Sequence, residues 1–369
     1  MTVLHISGAT SWGGNEQQLI DIIPALKKLN VKSLVFGVKN SPLHNKCEEN
    51  SIQFIYSETE KLNKFSNYKF LKQLVKDINP SIIHLHTSNS ITVFVISDLL
   101  YKLKTPTVFS KKGMGNSMSW LSLYKYNYKN INAVLCVSEA VRKSMKAKIM
   151  KLKNHHKLKV VYEGINIDRL QLSSLETTNT FSIDNNKNKF TIGNIANHNP
   201  AKDLVTLIKA IDYLVNEIGF KKFHLYQIGA YSKHTAGLKE LIEELNIKNY
   251  ISLVGFVKGV EQVFSKFDIY VMSSEREGLP LTIYEAFYKK IPVVSTKAGG
   301  IPEVISDGVN GFLVKIKDYK KLAKKIKELL ESKETQAKFS EASFKLFNKK
   351  YDVNKTAIKM LDEYHNIAK

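Results

Sequence analysis

Cysteine is scarce in this sequence of 369 residues. Its two cysteines, Cys47 and Cys136, lie far apart and match no metal-binding or redox motif. The sequence therefore offers no cysteine-based metal or redox site. A chain with so little cysteine is typical of a reduced, cytosolic compartment.

Long apolar runs are absent as well. The longest runs, such as "ITVFVISDLL", fall far short of the roughly 20 residues that a membrane-spanning helix needs. The first residues, "MTVLHIS", have neither the charged nor the apolar region of a signal peptide and read as a strand. We therefore expect neither a spanning helix nor a signal peptide.

Arginine is almost missing, although the chain is strongly basic. The net charge is +21, yet only Arg142, Arg169 and Arg276 are arginines among 55 basic residues. Lysine is a point charge, whereas planar recognition of nucleic-acid bases favours arginine. No nucleic-acid-binding module is recognisable either, so we expect no nucleic-acid partner.

The positive charge is concentrated in residues 102–159, which hold fourteen Lys and Arg but a single acidic residue, Glu139. Part of this segment, "SMSWLSLYKYNYKN", places Trp120, Leu121, Leu123 and Tyr124 among lysines. Basic residues beside aromatic ones suit an anionic membrane surface, so one interpretation is peripheral association with the inner face of the cell membrane. The other interpretation is a solvated, lysine-rich face.

Short β-branched runs alternate with helical patterns along most of the chain, which predicts parallel sheets covered by helices. Residues 171–189 are polar and aperiodic, and we interpret them as a linker. The alternation then restarts, which predicts an α/β fold with two doubly wound domains. Ligands of such sheets bind beyond the carboxyl ends of the strands, so a cleft between the domains is the expected site.

The end of the chain is predicted to be helical over residues 318–331, 334–350 and 354–368. In the last helix Ile358, Leu361, Tyr364 and Ile367 recur at helical spacing and predict its buried face. The predicted divisions are 1–170 for the first domain, 171–189 for the linker, 190–350 for the second domain and 351–369 for the final helix.

Two motifs of the first half carry weak signals. "SGATSWGGNEQQ" places Gly8, Gly13 and Gly14 before a helix, as either a structural turn or an anion-binding loop. In "IIHLHTSNS", His84 and His86 point to one face of a strand, where we expect His84 in the core and His86 nearer the site. A zinc site would need further ligands, and the sequence suggests none.

The stretch "SSEREGLPLTIYEAF" is the strongest motif. A strand precedes it and a helix follows, with Pro280 predicted at the first helical position. Free N–H groups at the start of that helix suit a phosphate, and Glu285 can accept hydrogen bonds from ribose hydroxyls. Lys202, in the earlier loop "NHNPAKD", can neutralise a phosphate. Taken singly, each residue is also compatible with a solvated surface position.

The run "SSEREGLPLTIYEAFYKKIPVVSTKAGGIPEVISDGVNGFLV" resembles the signature of the retaining GT-B glycosyltransferases of family 4, the glycosyl transferases group 1. "GGNEQQ", "IIHLHT", "LCVSEAVR", "GINID" and "AKDLVTLIKAI" occur in that family's order. The resemblance implies two Rossmann-like domains facing across a cleft, with the C-terminal helix crossing back to the first domain. It also implies a nucleotide-sugar donor, a glycan or lipid-linked acceptor, and neither a metal ion nor another cofactor.

The resemblance also implies roles for individual residues. Glu277 and His86 line the reacting centre, and Glu285 binds the ribose. The remaining donor-side positions are Gly14, Asn197, Lys202, Val257, Gly278, Leu279, Leu281 and Thr282, and the acceptor-side positions are Gly13, Glu16 and Lys112.

The sequence departs from the family at two informative positions. Asn197 stands where members often carry arginine, so one diphosphate cation is missing or replaced. Glu163 replaces the usual asparagine after "KVVY", which predicts a different contact there.

The family implies retention of the anomeric configuration, and we favour UDP over GDP as the donor nucleotide. The expected pathway is cell-envelope polysaccharide synthesis, as in capsule or lipopolysaccharide. An epimerase or inverting transferase of the same fold stays an alternative, and a basic nucleic-acid-binding protein is a weaker one.

Overall fold

The computed structural model describes residues 1–114, 119–172, 183, 189–257 and 259–368. Contacts divide the chain into two compact units. The first unit comprises Met1–Asn166 and Asp352–Lys369, and the second comprises Ile167–Tyr351. The predicted linker over 171–189 lies largely outside the described residues.

The first unit contains a seven-stranded parallel sheet with the strand order β3-β2-β1-β4-β5-β6-β7. Its strands are β1 (Thr2–Ser7), β2 (Lys32–Gly37), β3 (Phe54–Tyr56), β4 (Ile82–Leu85), β5 (Thr107–Lys111), β6 (Ala133–Cys136) and β7 (Leu158–Val160). Its helices are α1 (Gly14–Lys28), α2 (Pro42–Glu49), α3 (Phe65–Ile78), α4 (Ser88–Tyr101), α5 (Trp120–Tyr126), α6 (Glu139–Lys148) and α13 (Val353–Ala368).

The second unit contains a six-stranded parallel sheet with the strand order β10-β9-β8-β11-β12-β13. Its strands are β8 (Phe190–Ile195), β9 (Phe223–Ile228), β10 (Ile251–Gly255), β11 (Ile269–Met272), β12 (Val293–Thr296) and β13 (Phe312–Val314). Its helices are α7 (Ile167–Leu172), α8 (Leu204–Asp212), α9 (Thr235–Glu244), α10 (Leu281–Tyr288), α11 (Tyr319–Glu331) and α12 (Lys333–Lys350).

The predicted architecture of two doubly wound parallel sheets is confirmed. The short β-branched runs from "VLHIS" to "GFLV" form the strands, as predicted, and β3 is the strand that no such run marks. It has three residues, lies at the sheet edge and leaves Tyr56 52% exposed, so its segment shows little of the apolar pattern of a buried strand.

In each sheet the strand order reverses between two neighbouring strands. This switch point lies between β1 and β4 in the first unit and between β8 and β11 in the second. Loops that follow these strands diverge to opposite sides of the sheet and leave a crevice at its carboxyl edge, where doubly wound proteins bind ligands. His86, the loop lysine and the motif with two glutamates follow strands at these positions, and His84 lies within β4 itself.

The boundary between the units falls after Asn166, whereas the prediction placed it after residue 170. The reason is α7, whose residues contact the second unit. Lys289 Nζ donates to the Leu170 carbonyl at 3.0 Å, and Gln171 Nε2 donates to Tyr288 Oη at 3.0 Å.

Helix α13 belongs to the first unit, where it packs against the same apolar core as α1. The prediction of its buried face was partly wrong, because Ile358 is 51% exposed. The face that packs consists of Val353, Thr356, Ala357, Met360 and Tyr364. Small side chains such as Ala357 suit close helix packing, and they are not part of the apolar stripe that the spacing of the large residues suggested.

Candidate active site

Two loops of the second unit are hydrogen-bonded to each other at the switch point between β8 and β11. The N–H groups of Glu275 and Arg276 donate to the Ala201 carbonyl at 2.9 and 3.2 Å. The Ser273 hydroxyl donates to the Lys202 carbonyl at 3.0 Å. These bonds join the loop after β11 to the loop after β8, although about 70 residues separate them in sequence.

Lys202 and Glu277 form an ion pair where these loops meet. Lys202 Nζ lies 2.6 Å from Glu277 Oε1, which also accepts a hydrogen bond from the Ser274 hydroxyl at 2.7 Å. The carboxylate is 9% exposed and the lysine 24%. Charge-assisted hydrogen bonds of this kind fix the carboxylate in one orientation.

Gly299, in the turn after β12, packs directly against the backbone of Glu277. Its φ is +53°, and a Cβ at this position would lie 1.7 Å from the Glu277 carbonyl oxygen. The next residue, Gly300, donates its N–H to the Gly278 carbonyl at 3.0 Å. Only glycine fits here, so the turn after β12 fixes where Glu277 lies.

Glu285 lies on α10, eight residues after Glu277, with a side chain 8% exposed. Its Oε1 accepts a hydrogen bond from Arg169 Nη2 at 2.8 Å. Arg169 Nη1 also lies 3.6 Å from Glu261 Oε2. A buried carboxylate needs such a partner to remain ionised at low cost.

Helix α10 begins at Leu281, and Pro280 is its N-cap rather than its first helical residue as predicted. The first N–H groups of an α-helix have no partner within the helix, so the main chain at Leu281 and Thr282 can donate to a ligand. The side chains of Leu279 and Leu281 are buried, which restricts these residues to main-chain contacts. Gly278 and Leu279 lead directly into this helix start.

Asn197 and Val257 lie at the ends of other strands of the same sheet. Asn197 follows β8, and its Oδ1 accepts a hydrogen bond from the Ala230 N–H at 2.9 Å. Its side chain thus holds the loop after β9. Val257 follows β10 beside Phe256, whose side chain is 66% exposed. The donor-side roles of both residues stay predictions.

In the first unit three histidines form a buried cluster. His5 of β1 pairs in register with His84 of β4, and His86 follows two residues later on the same face. His5 Nδ1 lies 3.0 Å from His86 Nε2, and one nitrogen of each ring lies within 4.8 Å of the others. The expectation that the sequence offers no further ligand residue beside His84 and His86 was therefore wrong. The parallel register of β1 and β4 brings His5 to them.

Hydrogen bonds use most of the nitrogen atoms in this cluster. His84 bonds the Tyr364 hydroxyl through Nδ1 at 2.6 Å and the Ser110 hydroxyl through Nε2 at 2.7 Å. His5 Nε2 lies 3.4 Å from the Ser33 hydroxyl. Among the described residues His86 Nδ1 has no hydrogen-bond partner. His84 is thus a core residue, as predicted, whereas the role of His86 at the reacting centre stays a prediction.

Burial keeps this cluster neutral. Burial, followed by the nearby charge of Lys112, lowers the pKa of His5 to about 3. Burial also lowers the pKa values of His84 and His86 well below the ordinary value, and the neighbouring histidines and Lys112 act in the same direction. His86 is therefore an uncharged imidazole at neutral pH.

Lys112, which follows β5, forms a second buried polar cluster in the first unit. Its Nζ lies 2.5 Å from Glu163 Oε1 and 2.7 Å from Gln18 Oε1. Glu163 thus forms an ion pair with the lysine, and whether this contact differs from that of other family members stays a prediction. Burial raises the pKa of Glu16, while the N–H groups of Glu16 and Gly13 and the charge of Lys112 act against that rise. Gly13 is the N-cap and Gly14 the first residue of α1, which carries Glu16.

Most of the predicted residues thus lie on loops and helices that follow the central strands of the two sheets, whereas Val257 follows the edge strand β10. The second unit holds Lys202, Glu277, Glu285 and the start of α10, and the first unit holds Gly13, Gly14, Glu16, His86 and Lys112. Sequence reasoning missed Arg169, Glu261, Ser274, His5 and Gln18. Of these only Ser274 had a usable signal, because it lies inside the motif itself.

Comparison with known families identifies the class of protein that this fold and these loops define. Residues 12–169 match the family described as Glycosyltransferase Family 4, and residues 176–346 match Glycosyl transferases group 1. The chain thus consists of a Glycosyltransferase Family 4 domain followed by a Glycosyl transferases group 1 domain, and it is an enzyme of the glycosyltransferase class.

Individual relatives agree with this assignment. An uncharacterized glycosyltransferase of Methanocaldococcus jannaschii is 25% identical over 361 residues, which covers 92% of this chain and 94% of that protein. The poly(ribitol-phosphate) alpha-N-acetylglucosaminyltransferase of Staphylococcus aureus is 26% identical over 176 residues, 47% of this chain and 35% of that protein.

A solved structure has the same fold. Anabaena HepE, crystallised with UDP and glucose, superposes with a TM-score of 0.83 at 20% identity over 99% of this chain and 100% of that one. The two Rossmann-like units thus form a GT-B fold, as predicted. Among the described residues no helix is both long and apolar enough to cross a membrane.

Proposed function

We propose that this glycosyltransferase transfers a hexosyl group from a UDP-sugar, with retention of the anomeric configuration and without a metal ion. The acceptor is a hydroxyl group of a glycan or lipid-linked intermediate of cell-envelope polysaccharide synthesis. The observation that carries the proposal is the Lys202–Glu277 pair at the switch point, with a carboxylate on α10 one helix turn beyond the helix start.

The Lys202–Glu277 pair has the charges that can assist cleavage of the bond between a sugar and a diphosphate. An ammonium group neutralises the leaving diphosphate, and the N–H groups at the start of α10 can stabilise the same charge. A carboxylate 2.6 Å from that ammonium can orient the sugar hydroxyls or steady positive charge at the anomeric carbon. Because the leaving phosphate oxygen can itself take the acceptor proton, this scheme needs no separate protein base.

UDP is the proposed nucleotide because the neighbouring HepE structure holds UDP and glucose. The ribose hydroxyls, which UDP shares with other nucleotides, are proposed to donate hydrogen bonds to Glu285. The base itself is proposed to contact the main chain near Val257, beside the exposed Phe256.

Thermal unfolding with UDP, GDP or ADP, each with EDTA, tests the donor site. A nucleotide at 100 times its dissociation constant should add about 2.7 kcal/mol to the stability of the wild type. We expect this for UDP, and we expect the shift to be lost in Glu285→Ala. No response to any nucleotide would contradict the proposal. NMR analysis of the product anomer from a UDP-sugar tests retention, and an inverted product would point to the alternative chemistry.

For the acceptor side we propose that the basic segment 102–159 docks on anionic phospholipid. Nine of its lysines are exposed: Lys102, Lys104, Lys129, Lys143, Lys146, Lys148, Lys151, Lys153 and Lys159. Apolar side chains are exposed beside them, with Trp120 75% and Leu152 82% exposed. Lysine and exposed aromatic side chains together suit a lipid headgroup region better than water alone.

Co-sedimentation with vesicles tests this surface. The protein should sediment with vesicles containing phosphatidylglycerol and remain in solution with pure phosphatidylcholine. Trp120→Ser combined with Leu152→Ser should weaken sedimentation, whereas Phe65→Ser, at an exposed residue outside the segment, should not. Equal binding to both vesicle types would leave the segment as a solvated face.

A further inference from the structure

Arg169 is one of three arginines in a chain with 55 basic residues. Its planar guanidinium contacts two carboxylates at once. Nη2 lies 2.8 Å from Glu285 Oε1, and Nη1 lies 3.6 Å from Glu261 Oε2. The side chains of Arg169, Glu285 and Glu261 are 18%, 8% and 14% exposed. One guanidinium thus bridges two largely buried carboxylates.

The backbone around Arg169 is fixed to α10. The next residue, Leu170, accepts a hydrogen bond from Lys289 through its carbonyl, and Gln171 donates to Tyr288. Lys289 and Tyr288 follow Glu285 by four and three residues. Helix α7 therefore lies along the last turn of α10, and the guanidinium is held in place before any ligand arrives.

A carboxylate can accept about four hydrogen bonds, and Arg169 donates one of them at Oε1. Ribose hydroxyls can donate to the same carboxylate in one defined geometry only if it is ionised and its plane is fixed. The Arg169 guanidinium, which also pairs with Glu261 through Nη1, keeps Glu285 ionised and fixes its plane. Lysine at position 169 would keep the charge but lose the fork that spans two partners.

We infer that Arg169 is a positioning residue for the donor ribose: it holds the Glu285 carboxylate in the orientation that accepts the ribose hydroxyl groups. The inference rests on the proposed function, since it assumes that Glu285 binds ribose. Arg169 itself touches neither the sugar nor the diphosphate in this scheme. Loss of the guanidinium should therefore weaken the binding of each ligand in proportion to the number of ribose hydroxyls that the ligand carries.

The experiment compares UDP with 2′-deoxy-UDP by titration calorimetry on the wild type, Arg169→Lys and Arg142→Lys. Arg142 is the matched control, because it also pairs with one carboxylate, Glu139 at 2.8 Å, but on an exposed face of the first unit. We expect the wild type to prefer UDP by at least about tenfold, the lower limit of what one hydrogen bond to a charged group contributes. Arg169→Lys should reduce that preference to less than about threefold, mainly by weakening UDP binding. Arg142→Lys should keep it.

The ratio of the two dissociation constants does not depend on the fraction of folded protein, so a partly unfolded variant still gives an answer. A ratio in Arg169→Lys equal to the wild-type ratio would overturn the positioning role. A purely structural role would weaken both ligands equally and leave the ratio unchanged.

The wild type separates the inference from the proposed function. If it binds neither UDP nor 2′-deoxy-UDP, the donor-site proposal itself fails. If it binds both equally well, the ribose role of Glu285 fails, and the role of Arg169 with it. If Glu285→Gln abolishes the preference and Arg169→Lys adds nothing to that variant, the two residues act as one unit.

Discussion

Replacing Gly299 by alanine should disable the enzyme from a position outside the proposed site. The new Cβ would lie 1.7 Å from the Glu277 carbonyl oxygen, half of the 3.4 Å at which ordinary contact begins. The backbone of Glu277 or of Gly299 must therefore move by well over 1 Å. A misplacement of about 1 Å in an active site can reduce the rate by about a hundredfold. We expect at least that loss in the release of UDP from a UDP-sugar.

Gly308→Ala separates this displacement from the general cost of a left-handed residue. Gly308 has φ +74°, but a Cβ there meets no atom within 4 Å. Both variants carry the backbone cost of about 1–2 kcal/mol for a left-handed residue other than glycine. Gly308→Ala should show only this cost in thermal unfolding and should keep its UDP release within about threefold of the wild type. Similar activities for Gly299→Ala and Gly308→Ala would refute the reasoning.

Three further predictions concern single contacts. Lys202→Met removes the cation beside the buried Glu277 carboxylate, so UDP binding measured by calorimetry should weaken by about 1.5–3 kcal/mol. Equal affinity would show that Lys202 does not contact the diphosphate. Tyr364→Phe leaves His84 Nδ1 without its partner and should lower the free energy of unfolding by about 1–3 kcal/mol, whereas Tyr68→Phe, at an exposed hydroxyl, should cost less than about 0.5 kcal/mol. The histidine cluster should also make the protein sensitive to acid. An unfolded histidine titrates near 6.5 but folded His5 near 3, so the unfolded chain binds more protons between these values. The free energy of unfolding should therefore fall as the pH drops below 6.5, by up to about 1.4 kcal/mol per pH unit for His5, with His84 and His86 adding in the same direction. Urea unfolding between pH 7.5 and 5.5 measures that slope, and an equal slope in His5→Asn would count against this origin.

Features that depend on neighbouring residues could be predicted from the sequence. The strand, turn and helix around Glu277 and Glu285 are consecutive in sequence, from Ile269 to Tyr288, and their pattern locates both carboxylates. Parallel sheets follow in the same way from strand runs alternating with helices. Even here one boundary residue was misplaced, because Pro280 caps α10 instead of entering it.

Features that depend on packing between distant residues could not be predicted. His5 joins His84 and His86 only because β1 and β4 pair in a register that no local pattern records. Arg169 and Glu285 are 116 residues apart, and an arginine in "NIDRL" shows no sign of its partner. Lys112 looks like one of many lysines in a basic segment, yet its side chain is 7% exposed.

The return of α13 to the first unit also bears on the order of events during synthesis. Val353, Ala357, Met360 and Tyr364 complete the core of that unit, but the ribosome makes them only after all of Ile167–Tyr351. At about 5–20 residues per second, the interval is roughly 10–40 s. Throughout it the nascent first unit exposes the apolar face that α13 will cover, and His84 has no Tyr364 to bond. The first unit therefore emerges first but is completed last. We expect chaperones to bind this unit in preference to the second while the chain is being made.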